Sequence, residues 1–121
     1  MDITFNSQNA DATLALKALQ HYRAKDYKPA QSCLLELLDV DPKNWHARLL
    51  LAVCYYKTSQ LATSVRAFQF IYDGCRDEDL RRKAQEGLRV SQAAMQGKVQ
   101  MPAEFGRYVE NTLRSPAWME F

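Results

Sequence analysis

Ala18-Leu19-Gln20-His21-Tyr22-Arg23-Ala24-Lys25-Asp26-Tyr27-Lys28-Pro29-Ala30 is answered further along the chain by Ala52-Val53-Cys54-Tyr55-Tyr56-Lys57-Thr58-Ser59-Gln60-Leu61-Ala62-Thr63-Ser64. At this one fixed shift Ala18 falls on Ala52, Tyr22 on Tyr56, Arg23 on Lys57, Asp26 on Gln60 and Ala30 on Ser64. The match runs on, with Leu34 on Phe68 and Leu37 on Ile71. Small residues fall on small ones and large on large. A fixed period of this length marks a repeat architecture, in which one unit cannot bury its apolar face without a stacked neighbour.

Around this stretch the spacing of apolar residues is helical. Leu16, Leu19 and Tyr22 recur at steps of three, as do Leu34 and Leu37, Leu51 and Cys54, and Val65 and Phe68. Such steps draw one face of a helix, whereas a strand would alternate. Pro42, Gly74, Gly97 and Pro102 punctuate the pattern where helices end or begin. Helices are expected over 9–24, 28–40, 45–58, 61–73, 78–96 and 103–114, with Asn44 and Asp77 as N-caps. The class is therefore all-α. The competing arrangement is a bundle of four to six helices without superhelical stacking.

On these residues the chain resembles the tetratricopeptide repeat family, whose unit is a helix pair of this length. Ala18, Ala30, Leu34 and Pro42 fit the family's pattern in a first copy, about 11–44. Leu51, Ala52, Tyr55, Ser64 and Phe68 fit it in a second, about 45–78. Tyr22 to Tyr27 looks like the family's inter-helix turn. The departures are Lys17 where an apolar residue is usual, His21 where tyrosine is usual, and Arg76 in place of a second proline. A third copy has no single register, because Ala84 and Gly87 allow more than one alignment. The resemblance implies helix-turn-helix repeats stacked as a short right-handed α-solenoid over 1–97, with 78–97 as a degenerate third repeat or a capping helix. Residues 98–121 would add a short helix and an aromatic tail containing Trp118, Met119 and Phe121.

In that family the first helix of each pair lines a concave surface. The resemblance then places Ala15, Leu16, Leu19, Tyr22 and Arg23 from one copy, and His46, Leu49, Leu50, Val53, Tyr56 and Lys57 from the next, on the inner face. This floor is apolar with a polar and aromatic rim, so it is either covered or binds something. The expected function is a non-enzymatic adaptor or chaperone-like module that holds a peptide or helix of another protein. The alternative is a structural module that forms a homodimer through the groove or the tail. The family's clamp for the C-terminal carboxylate of heat-shock chaperones needs lysine and asparagine where this chain has Ala15, Leu19 and Leu50, so the clamp is not expected. The apolar floor is more similar to small helical-repeat chaperones of type III secretion.

Composition agrees with one globular unit. The chain has 121 residues, 47% of them hydrophobic and 25% charged. The net charge of +2 is spread evenly, with eight bases and seven acids on each side of the boundary between Cys75 and Arg76, so a nucleic-acid partner is not expected. The basic cluster Arg76, Arg81, Arg82, Lys83 and Arg89 is interleaved with Asp77, Glu78, Asp79 and Glu86, the pattern of a solvated face with internal ion pairs. Cys33, Cys54 and Cys75 are odd in number and scattered, which reads as free buried thiols in a reducing compartment. The first residues lack the features of a signal peptide and no apolar run is long enough to span a membrane, so a cytoplasmic location is expected. His21 and His46 stand at no metal-binding spacing, and no phosphate loop or nucleophile motif occurs. No enzyme activity, metal or cofactor is expected.

Overall fold

A computed structural model describes residues 7–97, and the side chains from Thr13 onward. The expected helix over 103–114 and the aromatic tail lie outside the described residues. Within them the chain forms α1 (Ser7–Arg23), α2 (Tyr27–Val40), α3 (Trp45–Lys57), α4 (Leu61–Gly74) and α5 (Glu78–Met95). No strand occurs among the described residues.

Local chemistry explains where these helices start and stop. Asn44 accepts the N–H of Ala47 at 3.0 Å and opens α3. Asp77 accepts from Asp79 at 2.9 Å and Leu80 at 3.1 Å and opens α5. Each side chain satisfies amide donors that the helix itself cannot pair. Glu78 and Asp79 in the first turn of α5 also suit the positive end of the helix dipole.

The reversals within each pair are built alike. After α1, the N–H groups of Ala24, Lys25 and Asp26 donate to the carbonyls of Gln20, Tyr22 and His21. After α3, those of Thr58, Ser59 and Gln60 donate to Cys54, Tyr56 and Tyr55, the same set moved by one repeat. The central residue of each turn is left-handed, Lys25 at φ 65° and Ser59 at φ 64°. This left-handed residue lets the last helical carbonyls be capped while the chain turns back. The end of α5 starts the same manoeuvre at Gly97 (φ 72°), whose N–H donates to Ala94 at 2.9 Å. The step from Ser59 to Gly97 is longer than the step from Lys25 to Ser59, so α5 runs about one turn past the repeat length.

Each helix packs on the next in order, and α5 also reaches α3. The small residues Ala18, Ala30, Ala52 and Ser64 are fully buried, as are the large residues Leu34, Leu37, Phe68 and Ile71. The side chains of both sets belong to the core. α4 and α5 approach closely at Gly87. A Cβ added at Gly87 would sit 2.3 Å from Cε1 of Phe68, so glycine there lets the Phe68 ring lie against the α5 backbone.

Polar contacts fix how the helices stack. Gln31 on α2 donates to the Cys54 carbonyl at 3.3 Å and to Thr58 Oγ1 at 3.1 Å, while Gln60 donates to Thr58 Oγ1 at 2.7 Å. Ser64 Oγ donates to the Ala52 carbonyl at 2.9 Å and lies 3.1 Å from Ser91 Oγ. Among the described residues no buried side-chain nitrogen or oxygen lacks a partner. A satisfied polar contact inside an apolar core favours one register, because any slip leaves it unpaired.

Candidate functional site

The residues expected on an inner face divide sharply by exposure. Ala15, Leu49, Leu50 and Val53 are fully buried, and Leu19 and Tyr22 nearly so. Leu16, Arg23 and Lys57 are exposed, and His46 and Tyr56 are intermediate. Leu16 is 48% exposed although Leu50, its counterpart one repeat later, has 0% exposure. The expected floor residues on α3 are thus part of the packed core, whereas Leu16, Arg23, His46, Tyr56 and Lys57 each keep some exposure.

The reason lies in α3 itself. Its run Leu49-Leu50-Leu51-Ala52-Val53-Cys54 is uninterrupted by any polar residue, and all six are buried. A helix that is apolar on every side belongs in an interior. Asn44, Trp45 and Arg48 fix its N-terminal end. Arg48 Nε donates to the Pro42 carbonyl at 2.7 Å, and its guanidinium lies 4.5 Å from the Phe70 ring centre. Trp45 and Phe70 stand 5.8 Å apart, and Phe70 is 52% exposed. This aromatic–arginine cluster was not anticipated from the sequence. The three-residue spacing of Trp45 and Arg48 was its one local signal, since the approach of Phe70 depends on the packing of α4.

Charged groups gather where α3 meets the start of α5. Burial is the largest influence on His46 and lowers its pKa from the usual 6.5, with Lys83 acting in the same direction and Asp77 and Asp79 opposing. Lys83 is buried and pairs with Asp79 four residues back, and Arg89 pairs with Glu86. Arg81 donates to the Tyr72 carbonyl at 3.1 Å and lies 4.7 Å from the centre of that ring. The basic cluster is therefore tied largely into its own helix and into α4. Arg76 and Arg82 remain exposed beside it.

The thiols lie in apolar surroundings. Burial pushes the Cys54 thiol up to about 12, and raises those of Cys33 and Cys75 as well. A thiol kept neutral in this way is a poor nucleophile. All three cysteines are free. Among the described residues no three His, Cys, Asp or Glu side chains gather as a metal site, and no helix is long and apolar enough to cross a membrane. No family model, curated protein or solved structure matches the chain.

Proposed function

We propose that this chain is a non-enzymatic protein-interaction module: two tetratricopeptide-like helix pairs stacked as a short right-handed solenoid, closed by α5, that holds an apolar peptide or helix of a partner along the inner side of α1, α3 and α5. The observation that carries this reading is the pair of reversing turns, alike bond for bond and one repeat apart. Equivalent turns give equivalent pairs, and stacked equivalent pairs present their first helices side by side. Such scaffolds work by offering an extended concave surface to a partner. The rim supplies the specificity elements: the aromatic Tyr56, the exposed Leu16, and the cations Arg23 and Lys57, which occupy matching places in the two pairs. A partner segment with apolar anchors and an acidic residue near one end would suit it. An adaptor or chaperone-like role in the cytoplasm follows from the same reading.

The test uses exposed positions, so that binding is changed without disturbing the core. Wild type, Leu16→Glu and the double variant Arg23→Glu/Lys57→Glu are compared in affinity capture from the source lysate, after circular dichroism shows equal helicity. The expected result is a protein retained by the wild type and lost from both variants. Equal retention by all three forms sinks the inner rim as the recognition surface.

A further inference from the structure

Repeat packing does not require the aromatic–arginine cluster at the start of α3. One repeat earlier the places of Arg48 and Phe70 are held by Leu14 and Glu36, a pair with neither a cation nor a ring. In the second pair the side chains are fixed in place. A Cβ added at Gly74 would sit 2.9 Å from Cη2 of Trp45, so the indole lies against the end of α4. The Arg48 guanidinium lies 5.9 Å from the Trp45 ring centre and 4.5 Å from that of Phe70. Its Nε is engaged by the Pro42 carbonyl. The terminal N–H fork of Arg48 is thus oriented before any partner arrives, which lowers the entropic cost of binding to it.

The cation held in this way has no counter-charge. Among the described residues Arg48 makes one hydrogen bond, through Nε, and no ion pair. Burial holds its pKa below the ordinary value, because withdrawing charge from water is unfavourable. A carboxylate at Nη1 and Nη2 would offset that. Exposed Lys43 follows Pro42, and exposed Arg66 precedes Phe70 by one turn of α4. Of the acids beside them in sequence, Asp73 accepts from Gln69 Nε2 at 2.9 Å and Asp41 is half-buried at the end of α2. Phe70 keeps about half its surface open next to this cation. Arginine beside large aromatic rings is the composition of binding hot spots. The positive charge is too sparse for a nucleic-acid backbone, whose binding rests on many phosphate contacts.

We propose that Trp45, Arg48 and Phe70 form a docking site, distinct from the inner side, for a segment of a partner protein in which an aspartate or glutamate adjoins a large apolar residue. The carboxylate takes Nη1 and Nη2 of Arg48 as a bidentate pair, and the apolar side chain rests on Phe70. None of the inner-side residues takes part, so this site stands or falls separately from the function proposed above.

The experiment is nuclear magnetic resonance on the full chain, titrated into the millimolar range with a capped pentapeptide of four aspartates around a central leucine. Expected is a saturable shift of the Arg48 Nε–Hε and Trp45 indole signals, absent with the same peptide carrying asparagines. Arg48→Lys keeps the charge and loses the fork, and Phe70→Ala removes the open ring. Each should weaken binding about fivefold. Circular dichroism accompanies both variants, and Phe70→Ala decides if Arg48→Lys loses helicity. No shift with the aspartate peptide would overturn the proposal, as would equal shifts with both peptides or undiminished binding by the folded variants. Displacement of the peptide by a lower concentration of single-stranded oligothymidylate would overturn it too, by making a nucleic acid the occupant.

Discussion

At the scale of single residues, Gly87 lies tight against Phe68. Alanine there would drive a methyl group into a ring that is fully buried. Overpacking of this kind costs about 1–3 kcal/mol. Gly87→Ala should therefore lower the denaturant midpoint, and adding Phe68→Leu should recover part of the loss by making room. A recovery of nothing would mean that the ring is not what the methyl meets. Cys54 gives a second prediction at this scale. Its thiol stays protonated up to about 12 in the folded chain, against 9.0 as the ordinary value. The unfolded state releases the proton first, so this contribution to stability is intact below about pH 9 and is lost as pH rises toward 12. Cys54→Ala should flatten the alkaline fall in stability. In thiol labelling at neutral pH, half-buried Cys33 should react before Cys54 and Cys75.

At the scale of helices, the caps carry the clearest expectation. Asn44→Ala and Asp77→Ala should each destabilise by about 1 kcal/mol, and Asp77→Asn by less, because the amide oxygen still accepts the two N–H bonds. Chemical denaturation of the three variants checks the order. These caps were legible in the sequence, as were the five described helices to within a residue or two at most ends, since periodicity and punctuation act locally. The third register was not legible. Its capping turn falls about one helical turn beyond the place the repeat sets, and that extension of α5 is a choice that no short-range rule dictates. Nor did local rules show that Lys83 in the basic cluster is buried. Its pairing with Asp79 lies within one helix, but its burial comes from the elements packed around it.

At the scale of the whole molecule, the apolar character of α3 was legible and the extent of its burial was not. Periodicity reveals that a face is apolar and says nothing of what rests on it. Leu16 and Leu50 are equivalent by repeat and opposite by exposure. Their glutamate variants should differ accordingly. Leu50→Glu places a carboxylate where there is no water, and burial of an unpaired charge is among the costliest changes a core can suffer. It should lose the cooperative thermal transition or protonate to keep it. Leu16→Glu should melt within a few degrees of the wild type. Calorimetry on the two proteins decides, and equal melting temperatures would place Leu50 on an open surface after all. The polar contacts of Gln31 and Ser64 then act as register pins for the whole stack, joining α2 to α3 and α4 to α5 through bonds that only one alignment satisfies.

Burial on every side also sets a clock for α3. Amide hydrogens leave a helix only when it opens, and an outer helix can open by lifting from a single neighbour. The run from Leu49 to Cys54 has no such free edge. Its exchange with solvent deuterium should wait for the rarest event the molecule undergoes, global unfolding, while the ends of α1 exchange through local fraying. The slowest amides in the chain would then report its total stability, and they would all lie in one helix.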